Sequence, residues 1–199
     1  MATTSAVYRR SLPGRIFQCE ILSDFPHYIP LHSQPTLVKQ VNRSLVMGLS
    51  QDCDLEQDYN LRNDHSINVN EKEAESQYLP FLILLELFTE DRIRSERKYL
   101  KSDIWRKIRD NNDERYQYLR VIQSEDDLLN EGIPASVIDF KRSFTVETSY
   151  VYHSIQSGNI KRRSIVKTPY AEAILSRFGN YISRVALPAP HYISEANPT

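Results

Sequence analysis

The run Leu79 to Phe88 is apolar at every position except Pro80 and Glu86. It is about half the length needed to cross a bilayer. Because it is apolar on both faces of a strand, it belongs in the middle of a sheet. Ser44–Leu49 has the same character. Gly14 opens a half-buried strand over Arg15–Leu22, in which Phe17, Cys19 and Ile21 face one way. Pro26, Pro30 and Pro35 then predict an extended loop, while Arg115–Ile122 and Val137–Val146 read as further strands. A helix is predicted from Glu90 to Arg109, with Ile93, Leu100, Ile104 and Ile108 on one stripe and Trp105 beside it. Thr168-Pro169 caps a last helix whose stripe is Ala171, Ile174, Leu175, Phe178, Ile182 and Val185. Strands and helices follow one another without βαβ alternation, so the expected class is α+β. The expected architecture is a small, mostly antiparallel sheet or an SH3-like barrel, carrying a basic helix and a C-terminal amphipathic helix. One domain over residues 1–199 is expected, with loose ends at 1–12 and 189–199 and an acidic loop at 57–77.

Bulk charge excludes little, since the net charge is −1. Its distribution says more. Eight basic residues between Arg92 and Arg109 oppose only Glu96 and Asp103, whereas eight acids between Gln51 and Glu75 oppose only Arg62 and Lys72. The basic helix is a candidate for gripping phosphates through Arg94, Arg97, Lys98 and Lys101, extended by Arg162 and Arg163. The alternative is a solvated helix face, or a contact between copies of the chain. Two cysteines, Cys19 and Cys53, fit a reducing compartment and give no disulfide framework. The histidines lack metal spacing. No cofactor or metal is implied. Arg9 and Arg10 are followed by Ser11-Leu12-Pro13-Gly14 and not by an apolar segment. A cytoplasmic chain with no membrane partner is therefore expected.

The chemistry-bearing segment is Ser50-Gln51-Asp52-Cys53-Asp54-Leu55-Glu56, at the end of a central strand. Cys53 is the natural nucleophile, although its acidic neighbours in sequence work against a thiolate. Asp52, Asp54, Glu56 and Asp58 alternate and would share one face of a strand, but the EF-hand pattern fails at Gln57 and Asn63. Arg115 and Asp139 are placed to pair across neighbouring strands.

Ser50-Gln51-Asp52-Cys53-Asp54 and Arg184-Val185-Ala186-Leu187-Pro188 resemble motifs of a group of bacterial and phage-encoded proteins with no assigned activity. Pro13-Gly14-Arg15-Ile16-Phe17 and Arg43-Ser44-Leu45-Val46-Met47-Gly48-Leu49-Ser50 are similar to the opening strand and Arg-Pro-aliphatic-Ser segment of the MazF/PemK-like barrels, with Ser44 in place of the proline. That resemblance implies Arg43 against phosphate and Ser50 near a cleft. The expected function is an accessory or effector module of a bacterial or phage conflict system that binds nucleic acid or a protein partner. The alternatives are an RNA endonuclease using Arg43 and Ser50, a cysteine-dependent enzyme using Cys53 with Asp54 beside it, and a structural homo-oligomer subunit.

Overall fold

The computed structural model describes residues 5–32, 34–63, 77–97 and 100–183. In chain order the elements are β1 (Tyr8–Arg10), β2 (Glu20–Leu31), β3 (Gln34–Gly48), α1 (Asp52–Asn63), β4 (Phe81–Thr89), α2 (Glu90–Glu96) and α3 (Ser102–Arg109). They continue with β5 (Tyr116–Leu119), β6 (Ser136–Glu147), α4 (Thr148–Gln156), β7 (Lys161–Val166) and α5 (Tyr170–Ile182). The strands form one open sheet in the order β1-β7-β2-β3-β4-β6-β5, with every pairing antiparallel. The chain is thus α+β, and of the two expected architectures it is the sheet. β1 and β5 remain edges, but the sheet curls enough for the segment after β5 to reach the far side. Leu128 N donates to Arg163 O at 2.9 Å, and the Tyr8 hydroxyl donates to Arg120 O at 3.3 Å.

Alternation along β4 builds both layers. Leu85 and Leu87 pack with Met47, Phe140 and the α5 residues Ala171, Ile174 and Phe178. Leu82 and Leu84 point the other way, into a cluster with Leu55 of α1 and Val151 of α4. Phe88, on that same face, joins Ile93, Trp105 and Ile108 of α2 and α3. Helix α5 therefore covers one face, and α1 to α4 cover the opposite one. Among the described residues no helix is long and apolar enough to cross a membrane.

Residues 8–10 of the expected loose start form β1, and the strand expected over Arg15–Leu22 begins only at Glu20, after Cys19 turns with φ 56°. Four further expectations change. The prolines do not make a loop: Pro26 and Pro30 lie within β2, which pairs with β7 only as far as Ser23. Beyond that point the β7-facing edge of β2 has no strand partner, and prolines in sheets are confined to such edge segments. Residues 52–63 are helix and not strand end or loop, with Asp52 and Asp54 in the first turn, where the helix dipole favours them. The rest of the expected acidic loop, residues 64–76, lies outside the described residues. The basic helix is two helices, the first capped by Thr89 Oγ1, which accepts from Arg92 N at 3.3 Å. Finally, Lys161–Val166 is a strand in the body of the sheet. Ile182 of the predicted α5 stripe is 62% exposed, and Val185 lies outside the described residues.

Candidate nucleic-acid interface

The strand-end segment is organised around structure more than chemistry. Ser50 is buried, and its Oγ accepts from Ile83 N at 3.1 Å. Arg43 sits on β3, roughly 20 Å of extended chain from Ser50, and its Nε donates to His27 Nδ1 at 3.1 Å. The pair expected to act on RNA is therefore not brought together. Cys53 is exposed in the first turn of α1, with its sulfur 3.5 Å from Asp54 Oδ1 and 3.7 Å from Gln51 Oε1. Those contacts include no imidazole or guanidinium that would hold a thiolate. The nearby guanidinium, Arg15, is bidentate on Asp52 at 2.7 Å to each oxygen. The hydrogen bond to Arg15 holds the Asp52 carboxyl below the usual range against the opposing effect of burial. Asp52 and Arg15 border a crevice of about 460 Å³ shared with Arg9, Phe17 and Lys167. The helix also spreads the four alternating acids around its axis, and Asp58 is fully buried on Arg62 and Leu79 N. Cys19 is buried against α5, and desolvation pushes its thiol up to about 12.

Several predicted phosphate-gripping residues point inward. Arg162 spans Glu20 (2.6 and 2.9 Å) and the carbonyls of Gly14 and Arg15. Arg163 is bidentate on Asp127 at 2.8 and 2.7 Å. Burial raises the Asp127 carboxyl, but Arg163 and the backbone N–H groups of Leu129 and Glu131 outweigh it, leaving the pKa low. Arg97 and Arg115 both bond the fully buried Asp139, at 2.5 and 2.7 Å, so the predicted Arg115–Asp139 pair forms. These guanidiniums are internal staples and do not extend a basic surface. Lys98 lies outside the described residues. Lys101 is exposed at the start of α3, and Arg94 is exposed, 3.5 Å from Glu90 and 5.4 Å over the Trp105 ring.

The outward basic feature lies along α3. Trp105 and Ile108 bury one side of this helix, which leaves Arg106 and Arg109 beside a groove of about 680 Å³. The far wall is Tyr118 of β5 together with Arg120, Val121 and Gln123. Among the described residues, Arg106, Arg109 and Arg120 have no acid within ion-pair distance. Trp105 and Tyr118 meet edge to face, with ring centroids 6.4 Å apart, and Val121 is 50% exposed. The Tyr118 hydroxyl is 3.3 Å from Glu90 Oε2; its pKa is raised by desolvation and then by Glu90, with Arg109 opposing.

The two walls are locked by one side chain. Asn111 ends the α3 segment with φ 55°, and its amide clasps β5. Its Oδ1 accepts from Tyr118 N at 2.6 Å and its Nδ2 donates to Tyr118 O at 3.2 Å. Arg177 of α5 adds bonds to the carbonyls of Asn111, Asp113 and Tyr116. The outer edge of β5 is thereby satisfied by side chains, and the groove is fixed without a further strand. Trp105 is 7% exposed and belongs to the cluster with Phe88, Ile93 and Ile108, so the ring presented to the groove is the half-buried Tyr118. A fixed basic trough with such a ring offers charge along a backbone and an aromatic surface beside a base. In comparisons with known proteins, no family model, no curated protein and no solved structure matches the chain.

Proposed function

We propose that this chain is a binding module for single-stranded nucleic acid, seated in the groove between α3 and β5. The observation that carries the reading is the set of three arginines, Arg106, Arg109 and Arg120, without acid partners among the described residues and beside the half-buried ring of Tyr118. Arginines of this kind lower the cost of confining a polyanion, and an accessible tyrosine ring accepts any base. On the motif resemblance, the setting is a bacterial or phage conflict system. Strand cleavage by Arg43 with Ser50 is not favoured, because one is engaged on a buried strand cluster and the other caps Ile83.

The test is fluorescence anisotropy with a labelled mixed-sequence single-stranded RNA and its DNA counterpart. The wild type binds, and the triple variant Arg106→Ala, Arg109→Ala, Arg120→Ala loses most of the affinity. The salt slope falls by about 0.7 for each phosphate contact removed. Equal affinity and equal slope in the triple variant would overturn the proposal.

A further inference from the structure

The face carrying α1 to α4 holds a second charged feature, separate from the groove. Glu86 lies on β4 between the cluster containing Leu84 and the cluster containing Phe88, and it is 3% exposed. Opposite it the ladder breaks. Glu86 stands alone between Leu85 and Leu87, whereas β6 places Asp139 through Arg142 between Ile138 and Ser143. Bulges of this kind re-aim side chains, and this one brings Arg142 to Glu86.

Three guanidiniums converge on the single buried carboxylate. Arg43 makes a short contact with Oε2, while Arg142 stands at 3.5 Å and Arg92 at 3.7 Å. Arg43 is held from behind by His27 Nδ1 and lies over the Phe144 ring at 4.5 Å. Arg92 and Arg142 both lie over Phe88, each 4.9 Å from the ring centroid, with side chains 41% and 43% exposed. At the rim, Glu96 accepts from Arg92 Nε at 2.8 Å. Positive charge therefore exceeds negative here even after Glu96 is counted. Burial and the nearby Arg142 and Arg92 pull the Arg43 pKa down, against the opposing effect of Glu86. The two outer guanidiniums are attracted to Glu86 at distances too long for well-formed hydrogen bonds. Both rest over the same aromatic ring and are partly open to solvent.

We infer that Arg92 and Arg142 form a docking site for a doubly charged phosphate group, a phosphomonoester, above Phe88. Arg43 and Glu86 form the buried base beneath them; Arg142 supplies the fork, and Arg92, whose Nε is on Glu96, supplies the second positive charge. A tetrahedral dianion offers enough oxygens for two guanidiniums and offsets the local charge excess, whereas a carboxylate satisfies one fork. The phosphate belongs either to the end of a nucleic-acid strand or to a small phosphorylated molecule.

Calorimetric titration with inorganic phosphate tests this without any RNA, using sodium chloride at matched ionic strength as the comparison. The wild type gives saturable heat with phosphate. Arg142→Ala weakens binding about tenfold or more, and Arg142→Lys, which keeps charge but not the fork, falls between the two. Circular dichroism verifies that both variants are folded. Absence of saturable heat with wild-type protein, or equal affinity in Arg142→Ala, would overturn the inference. Two RNA arms then identify the source. Tighter binding of 5′-phosphorylated RNA than of its 5′-hydroxyl counterpart, lost in Arg142→Ala, assigns the site to a strand end. Equal binding of the two RNAs, with phosphate binding intact, assigns it to a small phosphorylated molecule.

Discussion

Glu20 and Arg162 form a buried pair whose rupture has a calculable cost. Glu20 is fully buried, and its carboxylate accepts two bonds from Arg162 and one from Phe17 N at 2.9 Å. Arg162 uses two further donors on Gly14 O and Arg15 O, so the pair ties residues 14–17 to the sheet. Removing one partner leaves the other charged and desolvated, a situation that costs about 3–5 kcal/mol. Arg162→Met and Glu20→Gln should each destabilise by this amount in urea unfolding. With a shift of about 2–4 °C per kcal/mol for a domain of this size, Tm should fall by roughly 10 °C. The double variant should recover part of the loss, because neither charge is then stranded. A loss below about 1 kcal/mol in both single variants would refute the assignment of these residues as an internal staple.

Other outcomes follow from single contacts. Gly132 has φ +74°, and an added Cβ would lie 2.9 Å from Ile122 O. Gly132→Ala should therefore cost about 2 kcal/mol in thermal or urea unfolding. His27 has its pKa lowered by burial and then by Arg43. Its contribution to stability is full above the unfolded value of about 6.5 and is lost as pH falls below it, so His27→Gln should flatten the stability profile between about pH 7 and 5. An aromatic disulfide reagent should titrate Cys53 rapidly in the native protein and reach Cys19 only on unfolding, whereas Cys53→Ala should leave stability within about 0.5 kcal/mol of wild type.

Elements whose signal is local were legible in the sequence. The α5 stripe and the doubly apolar β4 run are local patterns: the stripe packs from Ala171 to Phe178, and the run forms a central strand over Phe81–Thr89. Helix α1 was hidden because its buried face is Leu55 and Asp58, too little apolar surface for a period to register. Strand β7 was hidden because Lys161-Arg162-Arg163 reads as surface. The acids that admit its arginines to the interior, Glu20 and Asp127, are remote in sequence. The prolines of β2 misled because their tolerance depends on which strand edge lies open. Of the groove, the charge of α3 was visible, but Tyr118 and Arg120 were not marked. Their place beside α3 depends on the Asn111 clasp, a tertiary contact that no spacing rule encodes.

The chain has a single tryptophan, and it lines the groove. Photocrosslinking a 4-thiouridine-substituted single-stranded RNA to the protein, followed by peptide mapping, tests the interface directly. The account predicts crosslinks to Tyr118, with emission of the adjoining Trp105 changing over the same RNA concentration range. Crosslinks confined to another surface, such as Tyr28 and Tyr150 on the β2–α4 side, with tryptophan emission unchanged at saturation, would contradict it.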